Sequence, residues 1–278
     1  MIGVIDVGGG LRGIYGSGVF DRCLDDGVVF DYCIGVSAGS ANAITYLANQ
    51  KGRTYRYYHD YSLRKEYMSF GNFLKCGQYL DLDYIYGTMT NSDGEDPLAF
   101  AQVMNHKSNL TAVVTDAETG EPAYFTKHDM KQDDYRVLMA SSALPGVCKG
   151  YEINGRKYYD GGVSDPVPIK KALADGCDKI VLILTKPIAN CDTLARDTRM
   201  AKLLRRKYPV LAQKLKDKSV NYKKGVDLAL ELQKQGKCLI IAPDDCCGVN
   251  TLTKEKDKLH ALYEKGYNDG GRIKDFVK

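Results

Sequence analysis

The stretch Val28-Val29-Phe30-Asp31-Tyr32-Cys33-Ile34-Gly35-Val36-Ser37-Ala38-Gly39-Ser40 constrains this 278-residue chain more than any other. A run of β-branched and aromatic residues from Val28 to Val36 predicts a buried strand, and Ala41 to Ala48 predicts a helix directly behind it. Between them stands a serine with glycines at −2 and +2, the Gly-x-Ser-x-Gly pattern. A strand that reverses into a helix within one turn forces Ser37 into a strained backbone conformation, and only hydrogen side chains at Gly35 and Gly39 let the flanking backbones pass. The Ser37 hydroxyl then projects at a helix N-terminus, where unpaired N–H groups and the positive end of the helix dipole favour negative charge. An ordinary strand-to-helix turn with Ser37 or Ser40 as N-cap would leave the same local pattern.

A second glycine loop precedes it. Residues 2 to 7 predict a strand, Gly8-Gly9-Gly10-Leu11-Arg12-Gly13 interrupts, and Tyr15 to Leu24 resumes at helical spacing. Such a loop turns successive N–H groups toward something negative. Two chemistries use that geometry. Gly8-x-Gly10-x-x-Gly13 fits a dinucleotide fingerprint, with Asp31 lying 18 residues beyond Gly13 as a ribose-binding carboxylate. The same amides also suit an oxyanion hole for acyl transfer. The strand pattern continues past Asp31 into the serine turn, which favours the second reading. Arg12 is then a residue that orients the loop or meets substrate phosphate.

Farther along, Tyr55, Tyr57, Tyr58, Tyr61, Tyr67, Phe70, Phe73, Tyr79, Tyr84 and Tyr86 crowd residues 52–86, as packing in helices or as a cover over an apolar substrate. Leu110 to Thr115 and Pro122 to Thr126 predict a hairpin. Residues 134–147 predict a helix closed by the small residues Ala140-Ser141-Ser142-Ala143 and Pro145-Gly146. Tyr151 to Tyr159 predict a second hairpin across Asn154-Gly155, which delivers Asp160-Gly161-Gly162. Lys179 to Thr185 reads as a central parallel strand and Cys238 to Ala242 as a last short one, with a C-terminal helix over Lys254 to Gly266.

A nucleophilic serine needs a base, and none of the four histidines lies in a motif or at metal-ligand spacing. Asp160 fills the role if it faces Ser37, with Gly161 and Gly162 clearing space beside it. Gly8-Gly9-Gly10-Leu11-Arg12-Gly13, Gly35-Val36-Ser37-Ala38-Gly39, Ala140-Ser141-Ser142-Ala143-Leu144-Pro145-Gly146 and Asp160-Gly161-Gly162, in that order, resemble the four motifs of the patatin-like phospholipases over about residues 2 to 186. The resemblance implies an α/β fold, a three-layer α/β/α sandwich around a mostly parallel sheet. It also implies calcium-independent lipid acyl hydrolysis with no metal and no cofactor, Ser37 as nucleophile, Asp160 as base, and an oxyanion hole drawn from Gly8, Gly9, Gly10, Arg12 and Gly13.

At 44% hydrophobic content the chain is long enough for one large domain. Nine cysteines without a Cys-x-x-Cys pair read as reduced thiols, and the start of the chain has no secretory pattern, so a cytoplasmic protein is expected. Residues 196 to 224 carry eleven basic residues against Asp197 and Asp217, with Pro209 as a kink or break. That segment, expected to pack on the core as part of the same domain, is either a solvated helix face or a contact with an anionic membrane surface at the inner face. The expected partner is a lipid or other acyl ester, with no nucleic acid; oligomeric state is left open. A nucleotide-binding regulator and a catalytically quiet lipid-binding protein are the rival readings.

Overall fold

The computed structural model describes residues 1–69, 71–72, 78–190 and 195–278. Phe70 and Phe73 of the aromatic stretch therefore lie outside the described residues. The chain opens on strand β1 (Ile2–Asp6), which passes through the glycine loop into α1 (Ile14–Asp25), then β2 (Tyr32–Val36) and α2 (Ala38–Leu47). After α3 (Arg53–His59) and α4 (Phe100–Asn105) come β3 (Asn109–Asp116), β4 (Pro122–Thr126) and α5 (Arg136–Ser142). The hairpin β5 (Tyr151–Ile153) and β6 (Arg156–Asp160) leads to α6 (Ile169–Ala174) and β7 (Lys179–Ile183). The last third holds α7 (Ala195–Leu204), α8 (Pro209–Lys234), β8 (Cys238–Ile241), α9 (Lys256–Gly270) and α10 (Ile273–Val277).

Among the described residues eight strands form one mixed sheet in the order β5-β6-β3-β2-β1-β7-β8, with β4 also paired to β3. The five strands from β3 to β8 run parallel, while β4 and β6 pair antiparallel with β3. Side chains alternate between the faces, as a period of two requires. Val4, Cys33, Val114 and Val181 join a core with Ile14, Val19, Leu47 and Leu259 of the helices on one side. Ile5, Ile34, Val113 and Leu182 join Ile169, Tyr222 and Val226 on the other. Strands buried on both faces are apolar, as Ile180 to Ile183 are; β7, expected over Lys179 to Thr185, spans Lys179–Ile183 and lies inside the sheet between β1 and β8. The α/β/α layering matches the sequence-based expectation.

One boundary differs. The strand expected from Val28 begins only at Tyr32. Gly27 takes φ 66°, and the Val28 N–H donates to Cys23 O at 2.9 Å, closing the end of α1. Val28 and Phe30 are buried, so their hydrophobicity fills the core from a connecting loop. Asp31 then ties the start of β2 to the start of β1: its carboxylate accepts the Ile2 N–H at 2.8 Å. Asp31 thus sits one strand length, roughly 15 Å, from the glycine loop that follows Asp6, at the end of the sheet away from it. A ribose-binding carboxylate belongs at the carboxyl ends of the strands, so the dinucleotide reading loses its acidic partner.

Pro209 starts a helix and so makes a break, as suits its missing N–H and fixed φ. The C-terminal α9 packs against α1 at backbone distance; a Cβ on Gly266 would lie 2.1 Å from Tyr15 O.

Candidate active site

In this sheet β2 and β7 lie on opposite sides of β1, and the loops after the three strands open a crevice at their carboxyl ends, the usual ligand position in open α/β sheets. Ser37 sits at the end of β2 with φ 57° and ψ −130°, a conformation that costs a non-glycine residue on the order of 1–3 kcal/mol. Its surroundings hold it there. Both the Ser40 N–H, at 3.0 Å, and the Ser40 hydroxyl, at 2.6 Å, donate to Ser37 O. The Ser37 N–H donates to Ser141 Oγ at 3.1 Å. Gly35 and Gly39 meet backbone where a Cβ would stand, 2.2 Å from Ser40 Cα and from Asp6 O respectively.

The glycine loop takes positive φ at three consecutive residues, 64° at Gly8, 133° at Gly9 and 61° at Gly10. Its anchor is Asp6, fully buried at the end of β1. Asp6 Oδ1 accepts the Gly8 N–H at 2.8 Å, and Oδ2 accepts the Asn42 amide at 2.8 Å. Asn42 also donates to Gly13 O at 2.8 Å and accepts the Tyr58 hydroxyl at 3.1 Å. Burial pushes the Asp6 carboxyl up from 3.8 to about 6, against the pull of those two hydrogen bonds. The Thr185 hydroxyl donates to Gly8 O, and the Leu11 N–H donates to Thr251 O at 3.1 Å. Gly8 and Leu11 N–H are thereby engaged, whereas the N–H groups of Gly9 and Gly10 have no hydrogen-bond acceptor among the described residues.

Asp160, 1% exposed, ends β6. Its Oδ1 accepts the Gly162 N–H at 2.8 Å, and its own N–H donates to Ala143 O at 3.0 Å. Ser141, two residues before Ala143, donates to Val113 O at 2.8 Å while it accepts from Ser37. The small-residue end of α5 is therefore strung between the serine and the aspartate, which explains why the sequence there is Ala-Ser-Ser-Ala. Gly161 packs so closely on β3 that a Cβ would lie 2.2 Å from Val113 O.

Ser37 and Asp160 line one cleft of about 770 Å³ together with Gly8, Gly9, Gly10, Arg12 and Gly162. Gly13, Gly35, Gly39 and Gly161 are not on its wall and shape it from behind. A second cleft, of about 740 Å³, meets the first at Gly10, Ser37, Leu144 and Thr251. It is walled by Leu11, Ala41, Tyr58, Tyr67, Met68, Leu80, Leu82 and Ile85. The tyrosines of residues 52–86 thus both pack the core and wall a cleft: Tyr57, Tyr58 and Tyr86 are buried, and all three line it.

Several wall residues had no motif to announce them. Thr185 and Lys186 follow β7, Lys218, Ser219 and Tyr222 come from α8, and Thr251 comes from the loop before α9. For α8 the available signal was the i, i+4 placement of Lys218 and Tyr222 on an amphipathic helix.

A family model described as patatin-like phospholipase matches residues 7–173, and one described as a domain of unknown function, DUF6363, matches residues 208–277. The uncharacterized protein YjjU of Escherichia coli is 30% identical over 188 residues, 67% of this chain and 52% of that protein. The uncharacterized NTE family protein Rv1063c of Mycobacterium tuberculosis is 32% identical over 73 residues, 26% of this chain and 19% of its own length. The chain thus matches about half the length of the first relative and less of the second. Among solved structures, VipD from Legionella pneumophila superposes with a TM-score of 0.46 at 11% identity, over 98% of this chain and 66% of that one.

Proposed function

This chain belongs to the patatin-like phospholipase family, and from that premise we propose that it is a serine acyl hydrolase of lipid esters working through a Ser37–Asp160 dyad. The observation that carries the reading is one cleft lined by a serine at a strained strand-to-helix turn, a buried carboxylate and the unengaged amides of Gly9 and Gly10. The Ser37 oxygen attacks the ester carbonyl as Asp160 takes its proton, and the oxyanion is held by the Gly9 and Gly10 N–H groups near the N-terminus of α2. Asp160 then protonates the departing alcohol, and water activated by the same carboxylate releases the acid from the acyl-enzyme. Within the oxyanion loop the role narrows to Gly9 and Gly10, because Gly8 N–H is spent on Asp6. The Tyr-lined cleft that opens at Ser37 suits the acyl chain.

The reading assigns charge stabilisation to backbone amides, so turnover should persist in chelator. It also takes the protein to be cytoplasmic, with peripheral contact to an anionic membrane face. No helix among the described residues is long and apolar enough to cross a membrane.

The test is labelling with a fluorophosphonate probe followed by peptide mass spectrometry. Modification of Ser37 supports the reading. A folded protein left unlabelled, with no turnover on p-nitrophenyl acyl esters, would remove it.

A further inference from the structure

An ester bound at Ser37 sends its acyl chain and its alcohol in different directions from the carbonyl. Two clefts meet at Ser37, and they differ in chemistry. The one behind Ala41 and Tyr58 is walled mostly by carbon. The other holds three cations, Arg12, Lys186 and Lys218, beside the carboxylates of Asp160 and Asp197. The acyl chain belongs in the first by the cost of burying polar groups, which leaves the alcohol portion to the second.

Lys218 is distinctive there. It is half-buried on α8, with Cε 3.7 Å from the position of a Cβ on Gly162, the residue whose N–H holds Asp160. Among the described residues its ammonium makes no hydrogen bond or ion pair. The helix that carries it is fixed from below, since Leu211, Leu215, Tyr222 and Val226 are buried. The Lys186 ammonium, 4.1 Å from the centre of the Tyr222 ring, lies on the same wall. A cation held without a partner in a partly desolvated cleft is a ready site for an anion.

We infer that Lys218 is a specificity-determining residue that binds a phosphate on the alcohol portion of the substrate, so that the C-terminal segment of unassigned function supplies the head-group wall of the site. The inference rests on the acyl-hydrolase reading above. It makes the preferred substrate an acyl ester of a phosphorylated alcohol and disfavours neutral glycerides.

The test compares two monomeric esters with the same medium acyl chain, 1-acylglycerol and 1-acylglycerol 3-phosphate. Wild type should hydrolyse the phosphate ester with the higher kcat/KM. In Lys218→Ala the ratio of the two kcat/KM values should fall about ten- to hundredfold, the worth of one charge-assisted contact, with the loss mainly in KM for the phosphate ester. Lys218→Arg should restore most of the preference. Circular dichroism and the thermal midpoint report whether each variant is folded, and Lys218→Gln serves if the alanine variant is not. A ratio unchanged within threefold in a folded variant overturns the Lys218 assignment while leaving the hydrolase reading intact. A wild type that cleaves neither ester and leaves Ser37 unlabelled overturns both.

Discussion

The Ser37 N–H donates to the Ser141 hydroxyl at 3.1 Å, and that hydroxyl in turn donates to Val113 O at 2.8 Å. One buried side chain thus joins the serine turn, α5 and β3. Removing it leaves Val113 O without that donor and frees a backbone held at φ 57°. Ser141→Ala is expected to lose about 1–3 kcal/mol of stability, read as a shift in the urea midpoint. It should also lower kcat more than it raises KM, because the serine is displaced while the clefts remain. A variant as stable and as active as wild type would mean that the elbow needs no such strut.

Ser37→Ala and Asp160→Asn should each abolish turnover on p-nitrophenyl esters, with losses of about 10³-fold or more, as for other members of a nucleophile and base unit. Asp160→Asn retains an acceptor for the Gly162 N–H, so its fold should survive. Full activity in either variant rejects the dyad.

The buried Asp6 gives a pH-dependent signature with a definite sign. Its carboxyl is raised from 3.8 to about 6, so between these values the folded protein keeps a proton that the unfolded chain releases. The group's favourable contribution is therefore full below about pH 4 and is lost as pH rises through 6. Asp6→Asn has no charge to bury. Relative to wild type it should gain stability as pH rises from 4 to 8, by on the order of 3 kcal/mol at most, seen as diverging urea midpoints. A difference between the two proteins that does not change with pH would show that Asp6 titrates normally. Turnover should fall in the same variant, since the carboxylate that holds both Gly8 and Asn42 is gone.

Legibility in the sequence followed the range of the interactions. The serine turn, the glycine loop and the Asn154-Gly155 hairpin are local, set by glycines at fixed offsets within a dozen residues, and each could be read before any contact was known. Val28 to Phe30 misled because a buried apolar run has the same composition in a loop as in a strand. No local pattern marks Asp6 as an anchor, although a carboxylate closing an apolar strand must be either partnered or perturbed; its partner Asn42 lies 36 positions away. Thr251 is hidden altogether, and Lys218 shows only as one cation of a basic amphipathic helix, because each reaches the cleft through the packing of the C-terminal third, which no local pattern encodes.

The α7–α8 corner carries the last prediction. At the end of α7 Leu203 is 72% exposed, and exposed Arg199, Lys202, Arg205, Arg206 and Lys207 surround the turn. Exposed leucine flanked by cations is costly against water and favourable against an anionic interface, where each basic residue contributes about 1 kcal/mol. Wild type should therefore sediment with vesicles containing phosphatidylserine, and binding should weaken between 0.1 M and 0.5 M salt as the attraction is screened. Replacing Arg205, Arg206 and Lys207 together by alanine should reduce the apparent affinity by about a hundredfold at low salt. Leu203→Asp should reduce it further at every salt concentration, because the apolar share is not screened. Equal binding to neutral and anionic vesicles, or none to either, would return this corner to the role of a solvated helix face.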